Sequence, residues 1–540
     1  MHRRDVLIAL AAAAAGAAAG PTLSAAAEAP ARRLPWRNWS GSQHCLPEAR
    51  VAPASVAELQ ELVASARGTV RPVGAGHSFS PLVPTDDTLV SLSRLSGISS
   101  HDPHSLQATL WGGTRLGDIG QPLEAAGQAM VNMPDIDDQA LAGCLATATH
   151  GTGANFGCMS SYVRALQLVD ARGDLLECDA ERNPEIFRAA LVSLGALGIV
   201  TQIRLQNAAP YRLRRETVWR EFDEILAIAE DAAERHRNFE FFYVPFSGMG
   251  FTDSQDLTDE PAGSTEQIDT NEGVETLRLV RDWLAKMPKL RELLLGTYMK
   301  TLDREVSVER SWKNYTSERN VRFNEMEYHL PREHGLTALK EVRRVLENRH
   351  DEVFFPIEFR YVKGDDIWLS PFYRRDSCSI AVHRYFEEDY RPLFSSIEPI
   401  LRKYHGRPHW GKLHTLKPGE LRSMYPRWDD FAAVRRELDP RQGFGIGGNE
   451  QLSAIPVWLK RSGSLSSDAA GRRAGHISVG AVRRGDHPGL FLRARAWTEQ
   501  SGLRSSWFTL GIWPSAPWAD PRGYCMCIYI DGQFSIRQHA

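Results

Sequence analysis

A mixed α/β or α+β architecture in successive domains is predicted for this 540-residue chain, on three observations. Up to about residue 210, short strand patterns alternate with helical ones, as expected of strands and helices packed in shared layers. From about Tyr211 the texture changes to long helical patterns separated by strands, which places a domain boundary there. Glycine-rich breaks fall at strand ends (Gly74 to Gly76, Gly151 to Gly153, Gly195 to Gly198), where backbone can approach a ligand closely. The length is enough for two or three domains and a sizeable core.

Taken in order, Arg3-Arg4-Asp5, Val6-Leu7-Ile8, an alanine-rich run to Gly20 and Ala25-Ala26-Ala27 read as an export signal over residues 1–27. The paired arginines favour the twin-arginine route, hence a periplasmic or extracellular protein exported already folded. An uncleaved membrane anchor, and with it membrane association, is the lesser alternative, because the apolar run is short and mostly alanine against the ~20 strongly apolar residues a span needs. Arg32 to Pro47 reads as an extended lead-in with Trp36 and Trp39. Val51 to Arg67 reads as a helix, with Ser55 as N-cap and Glu58 three residues on.

Thr69 to Val73 is then a short strand that breaks into Gly74-Ala75-Gly76-His77-Ser78-Phe79-Ser80. Free amides in such a loop make a concave anion site, the serines add donors, and the histidine offers a nucleophilic nitrogen. By itself the loop also reads as an ordinary turn. Thr88 to Leu92 and Gln107 to Trp111 are strands, and Gly112-Gly113-Thr114 leads into a helix through Ala125. The run Leu141 to Gly153 is small-residued, which suits tight helix packing over Ala142 to Ala148 but leaves His150-Gly151-Thr152-Gly153 unexplained. Strands follow at Ala165 to Asp170 and Asp174 to Cys178, and Ser193 to Thr201 marks a helix-to-strand junction.

Beyond Tyr211, helices are expected over Phe222 to His236, Val274 to Leu295 and Leu336 to Asn348, a strand over Phe239 to Pro245, and an acidic loop over Asp253 to Glu272. Three strings there carry polar groups a plain sheet does not need: Ile357-Glu358-Phe359-Arg360-Tyr361, Val382-His383-Arg384-Tyr385-Phe386 and His409-Trp410-Gly411-Lys412. Glu358 and Arg360 are two apart on a strand and share a face, as a solvated ion pair also would.

Composition narrows the function. A net charge of −3 leaves no basic excess for nucleic acid as the main partner, and fourteen tryptophans suit planar or carbohydrate-like ligands. The seven cysteines are scattered; Cys525-Met526-Cys527 is too tight for zinc, no second pair has ligand spacing, no disulfide is demanded, and no metal is expected. Gly443 to Gly448 satisfies G-x-G-x-x-G without the flanking strand and helix of a dinucleotide fold, and neither G-x-S-x-G nor H-E-x-x-H occurs.

Together, the strings at Arg71 to Ser80, Ala148 to Gly153, Ser193 to Thr201, Glu358 to Arg360 and His409 to Lys412 resemble those of the aldonolactone oxidase and alditol oxidase group. These are flavoproteins of the vanillyl-alcohol-oxidase type, and the resemblance covers roughly Leu34 to Asp439, with five motifs in order. It implies an α+β fold: a two-part PCMH-type FAD-binding domain over 34–210, then an α+β substrate (cap) domain over 211–440. Gly74, Ala75, Gly76, His77 and Ser78 would cradle the FAD pyrophosphate, with His77 bonded covalently to the flavin. Gly143, Thr149, His150, Gly151, Thr152 and Gly153, with Gly195, Gly198 and Ile199, would line the rest of it, Thr152 also serving as a substrate donor.

The same resemblance implies that Glu358 and Arg360 orient substrate hydroxyls, Arg360 also stabilising charge on the reduced flavin. Lys412 would bind a substrate oxygen or balance charge, and His383 would be a proton acceptor. The expected reaction is oxidation of a CH–OH group of a sugar lactone such as D-arabinono-1,4-lactone or L-gulono-1,4-lactone, with oxygen as acceptor and hydrogen peroxide as product. Polyol (xylitol- or sorbitol-like) oxidation is the first alternative, and an inactive flavin-fold protein that binds carbohydrate is the second. After Asp439-Pro440 the resemblance stops. Residues 441–540 form an arginine-rich tail with five tryptophans and no clear periodicity, read as foreign to the fold, with a true accessory domain as the alternative.

Overall fold

The computed structural model describes residues 33–263, 270–316 and 320–445, and five strands between 477 and 536. The expected export signal lies outside these residues. The first helix, Val56–Ser65, shows how local chemistry sets an element: Ser55 Oγ accepts the Glu58 amide at 3.1 Å, and the Glu58 carboxylate accepts the Ala54 amide at 2.7 Å. Its apolar face, Leu59 and Val63, is buried against Val70, Val90 and Ile199.

Two larger sheets build the first domain, beside the short pair Trp36–Arg37 and His44–Cys45. One is parallel, in the order Ala49–Val51, Thr88–Ser91, Val70–Val73; the other is antiparallel, in the order Ile98–Asp102, Gln107–Trp111, Ile199–Gln206, Val163–Val169, Leu175–Asp179. The sequence leaves α/β and α+β open; the separation of helices from a largely antiparallel sheet makes the fold α+β.

The second domain is one eight-stranded antiparallel sheet, ordered Glu305–Arg310, Arg212–Glu221, Met249–Thr258, Asn238–Tyr243, Ile357–Val362, Ser377–Tyr385, Phe323–Pro331, Arg407–Pro408. Strand alternation divides it into two unlike faces. Phe239, Phe241, Tyr243, Phe359, Tyr361, Met326, Tyr328 and Ile380 point one way, into the core beneath the helices Phe222–Arg235, Gly335–Arg349 and Arg391–Lys403. Each such side chain contributes roughly 1.5–3 kcal/mol on burial. The other face carries Glu240, Asp253, Glu325, Glu327, Glu358, Arg360 and Ser379, and it too is buried. The first domain lies against it: Gly153 runs as a parallel bridge beside Val362 and donates its amide to Tyr361 O at 2.9 Å.

Several sequence expectations are corrected. The helix expected over Val274 to Leu295 is two, Thr270–Leu284 and Pro288–Met299, because Pro288 lacks an N–H and drives Met287 out of helical geometry (φ −128°, ψ 59°). The acidic loop expected from Asp253 begins later: through Thr258 the chain is a strand, paired on both sides, with Asp253 bonded to Arg215. The break expected after Pro440 lies beyond Phe444. Phe444 is buried in the first domain's small core, Gly443 O accepts the Val70 amide at 2.7 Å, and Phe444 O accepts Arg71 Nη1 at 3.0 Å. The tail lacked legible periodicity, yet its described backbone forms a separate antiparallel meander, Ile477–Arg484 through Gln533–Ile536. Cys45, Cys144, Cys158, Cys178 and Cys378 are free thiols.

Candidate active site

The strand Val70–Val73 ends in a loop that only small residues can make. A Cβ on Gly74 would lie 2.9 Å from that of Ala140, and Gly76 has φ +76°, a region side chains disfavour. Among the described residues the amides of Ala75, Gly76, His77 and Ser78 find no backbone acceptor. The lead-in segment clamps the loop from one side, Trp39 N to Gly76 O at 2.8 Å and Asn38 Nδ2 to Ser78 O at 3.0 Å. The His409-to-Lys412 string clamps it from the other, with Phe79 N to Gly411 O and Ser80 Oγ to Trp410 O both at 2.7 Å. His77 stacks on Trp39 with ring centroids 5.4 Å apart, its Nε2 3.8 Å from Asp138. Burial pushes its pKa down to about 4; Asp138 opposes this and Lys412 adds to it, so the imidazole is neutral at pH 7.

Behind this loop the fully buried Arg71 donates to Gly195 O at 2.8 Å and to Leu194 O at 2.9 Å. Gly195 therefore stands directly behind the loop, whereas Gly198 and Ile199 serve packing. A Cβ on Gly198 would meet Val169 O at 2.4 Å, and Ile199 belongs to the core.

The second small-residue run divides in the same way. Gly143 sits in the helix Leu141–Ala146 with nothing within 4 Å of where its Cβ would be, so it presents open backbone. Thr149 Oγ1 donates to Gln139 Oε1 at 3.0 Å. Thr152, expected to meet cofactor or substrate, gives its hydroxyl hydrogen to Phe239 O, and a Cβ on Gly151 would collide with Met133 O at 2.2 Å. His150, expected to line the cofactor, reaches Glu327 with Nε2 at 3.1 Å. The segment His150 to Gly153 thus docks one domain on the other.

On the polar face of the large sheet, Arg360 Nη2 donates to Glu327 Oε1 at 2.8 Å, and Arg360 Nε lies 3.2 Å from Glu358 Oε1. Ser379 Oγ also bonds Glu327 Oε1. Lys412 Nζ bonds Glu325 and lies 4.0 Å from Glu327 Oε2; His383 Nε2 is 3.8 Å from Glu325 Oε1. Glu358, Arg360, Lys412 and His383 therefore belong to one connected cluster. Burial pushes the Glu358 carboxyl up to about 7; Arg360 pulls it down, and Glu327, Asp135 and Glu325 push it further up. Glu327 is held well below the carboxylate range by Arg360 and His150, which outweigh its desolvation.

Sequence reasoning missed Glu325 and Glu327, although Glu325-Met326-Glu327-Tyr328-His329 puts two acids and a histidine on one strand face. Ligating atoms of His150, Glu327 and His329 lie within 4.8 Å of one another. Glu327 Oε1 already takes three donors there, one of them a guanidinium, so the cluster is compensated by protein charge rather than arranged for a divalent ion.

A loop whose amides meet no backbone acceptor among the described residues carries a neutral histidine, and a buried acid–guanidinium pair is linked to the ammonium of Lys412 where the α+β domain meets the capping sheet. That arrangement, together with the matches that follow, marks a two-domain FAD-linked oxidoreductase of the vanillyl-alcohol-oxidase type, with an FAD-binding domain and a substrate domain. An FAD-binding-domain model matches residues 47–179, and the D-arabinono-1,4-lactone oxidase model matches residues 203–448. An L-gulono-1,4-lactone dehydrogenase of Mycobacterium tuberculosis is 36% identical over 416 residues, spanning 76% of this chain and 96% of its own. The L-gulonolactone oxidase of Bos taurus is 31% identical over 418 residues (75% and 95%), and the alditol oxidase of a Streptomyces species 28% over 434 (75% and 96%). A solvent-stable cholesterol oxidase shares the fold with a TM-score of 0.65 at 18% identity, over 76% of this chain and 96% of that one. The chain belongs to the D-arabinono-1,4-lactone oxidase family of FAD-linked lactone oxidoreductases.

The residues present fit FAD. The bare amides of Ala75 to Ser78 suit a pyrophosphate, and the open backbone at Gly143 leaves room for a flat ring system.

Proposed function

We propose that the protein oxidises a CH–OH carbon of an aldonolactone, of the D-arabinono- or L-gulono-1,4-lactone type, and that its electron acceptor is oxygen. The observation that carries this reading is the buried Glu358–Arg360 pair, joined through Glu327 to Lys412, which in turn acts electrostatically on His77. FAD, when bound, would supply the hydride-accepting and oxygen-reducing chemistry, with hydrogen peroxide as the reduced product. Arg360, fixed by Glu327 and Glu358, directs its remaining N–H groups at substrate oxygens, and Lys412 adds a second cation. Glu358, near half-ionised at neutral pH, takes the hydroxyl proton; His383, next to Glu325, belongs to the same cluster.

The deciding assay offers purified protein each lactone and xylitol under air with peroxide readout, then anaerobically with a dye acceptor. Peroxide with lactones is the expected result. Faster turnover of xylitol would make the protein an alditol oxidase, dye reduction without peroxide a dehydrogenase, and no turnover a binding protein.

We further take His77 to be the site of covalent attachment, because its imidazole is neutral, held by Trp39 and set on the amide-lined loop. Acid-precipitated protein is expected to stay yellow and to fluoresce on a denaturing gel, and His77→Ala to lose both properties. Colour released into the acid supernatant by the unsubstituted protein would refute the attachment.

A further inference from the structure

We propose that His150 is an imidazolium carried inside the domain interface, and that with its counter-ion Glu327 it positions Arg360 and sets the proton affinity of Glu358. The hydrogen bonds of His150 require the charge. His150 is 2% exposed, with Nδ1 2.8 Å from Gly151 O and Nε2 3.1 Å from Glu327 Oε1. A peptide oxygen and a carboxylate oxygen only accept, so both ring nitrogens must donate, and a neutral imidazole has only one N–H. Glu327 cannot supply the missing proton. Its Oε1 also receives Arg360 Nη2 and Ser379 Oγ, which hold the carboxylate ionised.

Other forces oppose a charge here. Burial, the largest influence, and the Arg360 guanidinium push the His150 pKa below the ordinary imidazole value, and Glu327 and the Gly151 carbonyl pull it only part of the way back; the charge therefore stands on the hydrogen-bond geometry. The geometry favours the second pair. A bare lone pair aimed at a peptide oxygen 2.8 Å away is repulsive, and packing against His329 and Phe372 (centroids 4.9 and 5.1 Å) holds the ring in place. His409 cannot stand in as the cation, because its Nδ1 accepts the Gly411 amide at 2.9 Å.

The second part follows from the charges around Glu358. Arg360 on its own strand lowers its proton affinity; Glu327 and Glu325 on Phe323–Pro331 and Asp135 from the first domain raise it, and Glu240 lies on the adjacent strand. Lys412 is 4.0 Å from Glu327 Oε2, and His329 and His409 flank His150. The Glu327 charge felt at Glu358 is what remains after His150 has offset part of it. Removing Glu327 and removing His150 must therefore move Glu358 in opposite directions.

This inference rests on the assignment of Glu358 and Arg360 to the substrate, and its test has one arm that does not. In holoenzyme labelled with ring-15N histidine, NMR at pH 8.5 is expected to show one ring with both nitrogens protonated, absent from His150→Gln. A His150 ring with one bare nitrogen would overturn the imidazolium, whether or not lactones turn over. In the kinetic arm, Glu327→Gln is expected to lower kcat/KM and move its acid limb down by about one pH unit, while His150→Gln moves it up by about half a unit. A role in folding alone would lower activity with the limb unmoved, and that result would overturn the tuning. Should Glu327→Gln fail to fold, His150→Gln, which keeps a donor toward Glu327, decides by itself.

Discussion

Arg360→Ala is expected to lower kcat/KM about a thousandfold, the scale on which one preorganised charged donor contributes to a transition state. The guanidinium is held at two points, by Glu327 at 2.8 Å and Glu358 at 3.2 Å, so it meets substrate without first being ordered. Its removal also leaves the buried Glu358 without its cation and Glu327 with His150 and Lys412 alone, a defect that costs roughly 3–5 kcal/mol of stability. Thermal unfolding and steady-state kinetics on the same preparation separate the two effects. Arg360→Lys restores charge but cannot bridge both acids in a plane, so it should recover stability better than rate. A fully active, normally stable alanine variant would remove Arg360 from the site.

Glu358→Gln should abolish the acid limb of the pH–rate profile and lower kcat/KM by roughly a hundredfold to ten-thousandfold, the range for loss of a general base. In the unsubstituted enzyme the working form of Glu358 is the anion. With the carboxyl pushed up to about 7, kcat/KM should rise through that pH and fall about tenfold per unit below it. Stability runs the other way. The folded protein binds this proton more tightly than an unfolded glutamate of pKa 4.5 does, so the contribution from Glu358 is fully present below about 4.5 and is lost as pH rises through about 7. A rate profile flat from pH 5.5 to 8 would show that Glu358 removes no proton.

The motif strings are legible because each needs unusual residue types: glycines where backbone crowds backbone, and charges in strands that otherwise read apolar. Strand alternation alone puts Glu358 and Arg360 on one face, and the sheet register agrees, with Arg360 opposite Ser379 and Glu240. What stays hidden is pairing over long sequence distance. Nothing local announces that Glu327 meets His150 or that Thr152 serves the Phe239 carbonyl, since both contacts exist only once the domains dock. The break at Pro288 is readable, but continuous apolar periodicity on either side of it masks the division into two helices. The extension of the fold to Phe444 is not readable, because it depends on Val70 and Arg71 far upstream.

The carbonyl of Gly411 bonds the Phe79 amide directly, so the segments bearing His77 and Lys412 are stitched together within a residue or two of each group. This stitch fixes the spacing of the imidazole and the ammonium, just as the docking of His150 to Gly153 on the large sheet fixes the two domains at a second place. Random insertions should accordingly be tolerated far less beside Gly411 than in loops remote from both contacts.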